Sequence, residues 1–150
     1  MIAVLQRVTS SSVRVNHEVV GKIGIGFTVL LGIAEEDTDE DLQWIAKKIL
    51  GMRVFGDAEG KMNLDLSDVG GDILLISQFT LLSNSKKGNR PSFIEAARPE
   101  KAIPIYEKMI ELLSEGLGKP VEKGIFGADM QVMIENDGPV TLMIDSRRKR

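Results

Sequence analysis

The chain has 150 residues, a formal net charge of -3, 43% hydrophobic residues, a single histidine and no cysteine. That length supports a real hydrophobic core in one domain covering residues 1–150, and the lack of cysteine excludes disulfides and thiolate chemistry. No apolar run approaches the ~20 residues of a membrane helix, so a cytoplasmic protein with no membrane association is expected. Charge is unevenly spread: acid in "EEDTDEDL" (Glu35 to Leu42), base in "KKGNR" (Lys86 to Arg90) and in the terminal "RRKR" (Arg147 to Arg150). Local basic clusters matter more to a polyanion than the total does.

Ile2 to Thr9 alternates as a strand and lacks the basic-then-apolar order of a signal peptide. "SVRVNHEVVGKIG" reads as two short strands turning near Asn16 to Glu18, and "GFTVLLGIA" as a largely buried strand. Thr38 is placed to cap a helix, with Asp41 in the capping-box position three residues on. Leu42, Ile45, Ala46 and Ile49 form its apolar stripe, Trp44 packs on the same element, and Gly51 suits its end. Gly56 to Asp72 is rich in turn residues and takes no assignment.

Ile73 to Phe79 is a continuous apolar run, the pattern of a strand covered on both faces. Polar "SNSKKGNRPS" predicts a surface loop. A second helix is expected to start near Pro99 to Pro104, with Ile103, Tyr106, Ile110, Leu113 and Leu117 as its core stripe and Gly116 and Gly118 ending it. "DMQVMIE" and "PVTLMID" then predict paired strands around an Asn-Asp-Gly turn. Pro139 is the odd residue there, because it removes a backbone donor where the returning strand begins. Many strands and two helices without strict alternation predict an α+β fold with a mainly antiparallel, barrel-like sheet.

Catalytic side chains are scarce. His17 reads as a solvated turn residue. With one histidine and no cysteine, the common zinc clusters cannot form. No Gly-x-Ser-x-Gly elbow is present to hold a serine nucleophile. "GKIGIGF" lies between strands and precedes no helix, which excludes a phosphate loop. Two polar interruptions of strand pattern remain, "SQFTL" (Ser77 to Leu81) and "NDGPVT" (Asn136 to Thr141). Taken singly, the first also reads as a strand end and the second as a hairpin turn.

As a pair, these stretches resemble the signature of the D-aminoacyl-tRNA deacylases: Ser-Gln-Phe-Thr-Leu and Asn-x-Gly-Pro-Val-Thr both match in full. The resemblance extends over essentially the whole chain, through "MIAVLQRV", "VGG", "KGNRPSF" and "FGADMQV". It implies hydrolysis of the ester joining a D-amino acid, or mischarged glycine, to the terminal ribose of tRNA. It also implies a homodimer with cross-subunit active sites, and no metal or organic cofactor. Ser77, Gln78, Phe79 and Thr80 are the implied catalytic stretch, with backbone N–H groups around Gln78 and Phe79 facing the ester carbonyl. Gly138 and Pro139, joined by a cis bond and inserted into the partner's site, are the implied chiral filter, supported by Arg7. Their carbonyls would receive the substrate ammonium and close off the direction of an L side chain, which is selection by exclusion.

Phe126 and Met130 are the implied adenosine pocket, with Ser77 and Phe79 at its mouth. Lys86, Lys87, Arg90 and the terminal basic run are candidates for tRNA phosphates, a contact that added salt would weaken. With no base apparent beside Thr80, the expected chemistry is substrate-assisted: the free 2′-hydroxyl of the terminal adenosine activates a water while Thr80 positions. Two further classes compete, a non-catalytic tRNA- or DNA-end-binding module and a serine or threonine hydrolase of small esters or D-peptides.

Overall fold

The computed structural model describes residues 1–149, and its first element is longer than expected. Strand β1 runs from Ile2 to Val15, so the first of the two short strands predicted before Asn16 is its second half. The alternation of buried positions slips at Val8 and again at Ser11, but neither slip ends the strand. Asn16 and His17 both have positive φ, 49° and 68°, and Val15 pairs with Glu18. This is the two-residue hairpin whose twist matches its strands. It leads into β2 (Glu18–Ile23).

β3 (Gly26–Gly32) lies antiparallel to the first half of β1. Helix α1 (Asp39–Gly51) follows, and the Asp41 carboxylate accepts both the N–H and the hydroxyl of Thr38 at 2.8 and 2.9 Å. Leu42, Ile45, Ala46 and Ile49 are buried, as the stripe predicts. The turn-rich stretch resolves into a small hairpin, β4 (Phe55–Gly56) with β5 (Met62–Leu64), and a third helix missing from the expectation, α2 (Leu66–Val69), capped by Asp65. Four residues make too short a helix for periodicity to reveal.

β6 (Asp72–Ser77) is parallel to β3, and β7 (Glu122–Lys123) is parallel to β6. The sheet is therefore mixed rather than mainly antiparallel, in the order β2-β1-β3-β6-β7. It curls until β2 approaches β7, where the Lys22 N–H donates to Glu122 at 3.3 Å, and so forms a nearly closed barrel. The apolar run in β6 is explained by burial on both sides. Ile73 and Leu75 face the helices, whereas Leu74 and Ile76 join a second cluster with Val8, Val13 and Ile23 inside the curve.

Helix α3 (Pro99–Leu117) buries Ala102, Tyr106, Met109 and Leu113. The expected stripe is rotated: Ile103 is 36% exposed while Met109 is fully buried. Gly116 does not end the helix but faces Leu50 of α1 within it, and Gly118 is the left-handed cap. Pro104 sits inside the helix, beyond the first turn where proline is easily tolerated.

The largest correction concerns the C-terminal strands. Gln131–Asp145 is one strand, β8, antiparallel to β1 along almost its whole length. No hairpin forms at Asn136 to Gly138. Gln6 pairs with Thr141 and Val8 with Asn136, so residues 137–140 stand opposite Arg7 alone, as a bulge. A local Asn-Asp-Gly signal loses here to a long partner strand that offers pairing on both sides of the interruption. Among the described residues, no helix is long and apolar enough to cross a membrane.

Candidate active site

A cavity of about 290 Å³ opens where β6 ends, near the lower bound of ~300 Å³ typical of small-ligand sites. The sheet stops at Ser77, and the chain tightens into a 3-10 helix over Phe79–Leu82. That helix lies close against β3: a Cβ at Gly32 would come within 2.6 Å of Leu82 and 3.1 Å of the Gln78 carbonyl. Only glycine permits the approach.

Ser77, Gln78 and Phe79 form one wall. Phe126 and Met130 form another, joined by Gly127 and Ala128, while Ala97 and Ala102 close the side. Five of the expected site residues thus converge on one space. Thr80 does not line it: it is exposed, and its hydroxyl receives a hydrogen bond from the Gln78 side-chain amide.

The backbone donors separate. The Gln78 N–H is committed to the Leu31 carbonyl at 2.7 Å. The N–H groups of Phe79 and Thr80 open the first turn of the 3-10 helix, where no intrahelical acceptor exists. Neither N–H has a backbone acceptor outside the helix among the described residues, and Phe79 borders the cavity.

No lining residue is ionisable. Behind the wall, Tyr106 donates its hydroxyl to the Leu75 carbonyl at 3.0 Å and packs against Phe126 with ring centroids 5.7 Å apart. Burial pushes its pKa up to about 12, so it stays neutral. Helical spacing identifies Tyr106 as a core residue but cannot show that it braces Phe126. Ala97, Ala102 and Ala128 carry no signal in the sequence at all, since small apolar residues have no chemistry to betray them.

The bulge of β8 is built from the motif's own side chains. Asn136 Nδ2 donates to Thr141 Oγ1 at 3.0 Å, closing the base. Arg7 Nε donates to the Asp137 carbonyl at 3.2 Å, and its Nη1 to the Val54 carbonyl at 2.6 Å. The Gly138–Pro139 peptide is cis, and Gly138 has φ of 118°, a region that favours glycine. Asp137, Gly138 and Pro139 are exposed, and neither Gly138 nor Pro139 lines the cavity of its own chain.

Lys86, Lys87 and Arg90 lie on the exposed loop, without a carboxylate partner among the described residues. The terminal basic run is different. Arg147 pairs with Glu95 and Asp145, Arg148 with Asp145, and Lys149 sits 5.0 Å over the Trp44 ring. Arg150 lies outside the described residues. His17 is exposed at the hairpin tip, away from the cavity lining.

Comparison with known proteins places this arrangement. The family model for D-Tyr-tRNA(Tyr) deacylase matches residues 4–145. A D-aminoacyl-tRNA deacylase of Cytophaga hutchinsonii is 52% identical over 150 residues, covering 100% of both chains. One from a Sulfurihydrogenibium species is 55% identical, covering 99% of each. Among solved structures, a c-Myc DNA unwinding element binding protein superposes with a TM-score of 0.92 at 44% identity, covering 97% of this chain and 98% of its own. A probable eukaryotic D-amino acid tRNA deacylase shares the fold, with a TM-score of 0.82 at 20% identity and coverage of 95% and 97%.

Proposed function

This chain belongs to the D-Tyr-tRNA(Tyr) deacylase family and, like its full-length relatives, is a hydrolase that deacylates D-aminoacyl-tRNA; from that premise we propose how it selects and cleaves. The terminal adenosine enters the cavity between Phe126 and Met130, and the ester carbonyl meets the free N–H groups at Phe79 and Thr80. The 2′-hydroxyl of the ribose activates a water. The water adds to the carbonyl, the bond to the ribose oxygen breaks, and that oxygen takes up a proton. Free D-amino acid and reusable tRNA result. Thr80 and Gln78 hold the turn in shape, and Ser77 completes the wall.

The observation that carries this reading is the neutral lining. A cavity without a single ionisable side chain offers no general base, so activation falls to the substrate. Donors aimed at the developing oxyanion supply the remaining stabilisation, of the kind worth roughly 10²–10³ in rate per donor.

Handedness is read by Gly138 and Pro139 of a second copy, held in place by Arg7. The enzyme then works in the cytoplasm as a homodimer with sites shared across the interface. Support comes from the outer flank of β8, where Met133 and Met143 are 56% and 60% exposed, and from the outward-facing bulge. Glycyl-tRNA is a second substrate, since glycine has no side chain for such a filter to exclude.

The test compares D-tyrosyl-, glycyl- and L-tyrosyl-tRNA in one deacylation assay, with sedimentation of the same sample. Rapid release from the first two, survival of the third and a dimer are expected. Survival of the D-form in excess enzyme rejects the reading. An additional grip on DNA is favoured by the likeness to the DNA unwinding element binding protein. In that case single-stranded DNA competes with tRNA for the basic loop.

A further inference from the structure

A cavity of about 290 Å³ has room for a single nucleoside, so the next nucleotide of a tRNA end bound there must lie on its rim. Resting on the deacylase reading above, we propose that Phe79 and Phe93 form a stacking platform for the base adjoining the terminal adenosine, from which the phosphates run on to Lys86, Lys87 and Arg90.

Phe79 belongs to the cavity wall yet is 57% exposed. Phe93 meets it at 5.2 Å between centroids with planes 77° apart. An edge-to-face pair holds a ring firmly while leaving ring surface uncovered. Such a surface accepts any base, because every base has a π-face. Ile94, the next residue in the chain, is 88% exposed.

The same chain segment carries the charge. Asn84 and Ser92 exchange backbone hydrogen bonds at 2.8 and 2.9 Å, so residues 85–91 project as a closed tip whose root is Phe93. Between Asp72 and Glu95 the sequence has no carboxylate, and the three cations of the tip are free of ion pairs among the described residues. Arg147 and Arg148, in contrast, are engaged with Asp145. Charge therefore favours an exit over the aromatic pair and along this loop.

The experiment uses Phe93→Leu, Phe93→Tyr and the full-length protein. An uncharged acceptor-stem hairpin ending in CCA carries 2-aminopurine in place of the base next to the terminal adenosine. The unsubstituted protein quenches its fluorescence on binding; Phe93→Leu is expected to lose the quenching and weaken binding about tenfold, the scale of one base–aromatic stack. Phe93→Tyr restores both. In parallel, KM for the D-tyrosylated hairpin rises in Phe93→Leu while hydrolysis of D-tyrosyl-adenosine, which ends inside the cavity, is unchanged. Undiminished quenching, or an equal loss on both substrates, overturns the platform. If the unsubstituted protein cleaves neither substrate, the deacylase reading fails, and the quenching still decides the platform.

Discussion

The two interrupted strands of this molecule solve opposite problems. At Ser77 to Leu81 the strand ends, the chain tightens into a 3-10 turn, and Ser77, Gln78 and Phe79 border a cavity with no ionisable lining residue. At Asn136 to Thr141 the strand does not end. It resumes its pairing with β1 beyond an exposed bulge, fastened by Arg7 and by the Asn136–Thr141 hydrogen bond. One region borders a pocket and the other is an exposed corner that does not line the pocket of its own chain. The difference teaches that one kind of interruption gives a concave wall where a strand ends and a protruding corner where the strand continues.

Substitutions can break that division of labour, and the largest effect is expected at Gly138. A Cβ there would lie 2.9 Å from Arg7 and 3.0 Å from Val140, at a φ of 118°. Gly138→Ala should cut turnover of D-tyrosyl-tRNA about 100-fold, the scale of an ångström of misplacement. The Ser77–Phe79 cavity should be unaffected, as tRNA binding would report. Full turnover with L-substrate still rejected would separate the corner from the chemistry.

Arg7→Met removes the donors to the Asp137 and Val54 carbonyls. Turnover should fall about tenfold, and urea unfolding should register a loss of about 1–3 kcal/mol for the buried acceptor left without a partner. A loss of stability without a loss of turnover would make Arg7 purely structural.

Thr80→Ala tests the pocket side. Since Thr80 is exposed and bonded to Gln78 rather than lining the cavity, the rate should drop less than about tenfold, where removal of a true nucleophile costs on the order of 10⁶. Abolished turnover with intact tRNA binding would install Thr80 as the attacking group.

The smallest effect is expected from pH. With no ionisable lining residue and Tyr106 held protonated up to about 12, kcat/KM should show no side-chain inflection between about pH 6 and 9. A bell-shaped profile would expose a hidden acid–base pair.

Parts of this molecule are legible in its residues alone. The α1 stripe and its cap are local, because three- and four-residue spacing and a Thr-x-x-Asp signal act within one element. The both-faces burial of β6 is visible in its unbroken apolar run. The convergence of Ser77, Gln78, Phe79, Phe126 and Met130 is legible only through family resemblance, because no spacing rule links the end of β6 to the residues before β8. The hairpin expected at Asn136 to Gly138 fails for a related reason: the turn chemistry is present, but the competing partner strand lies about 130 residues away, as the Arg7–Asp137 hydrogen bond shows.

By itself the sequence determined which segments become strand and helix and which positions are apolar, because those preferences come from side-chain shape and periodicity over a few residues. It also determined that histidine and thiolate chemistry would be scarce or absent, since the chain has one histidine and no cysteine. The tertiary structure decided that β8 is one bulged strand, that Phe93 stands against Phe79, and that the Gly-Pro corner does not line its own cavity. Each of these depends on which distant backbone groups find each other, and pairing energy between strands is indifferent to their separation along the chain.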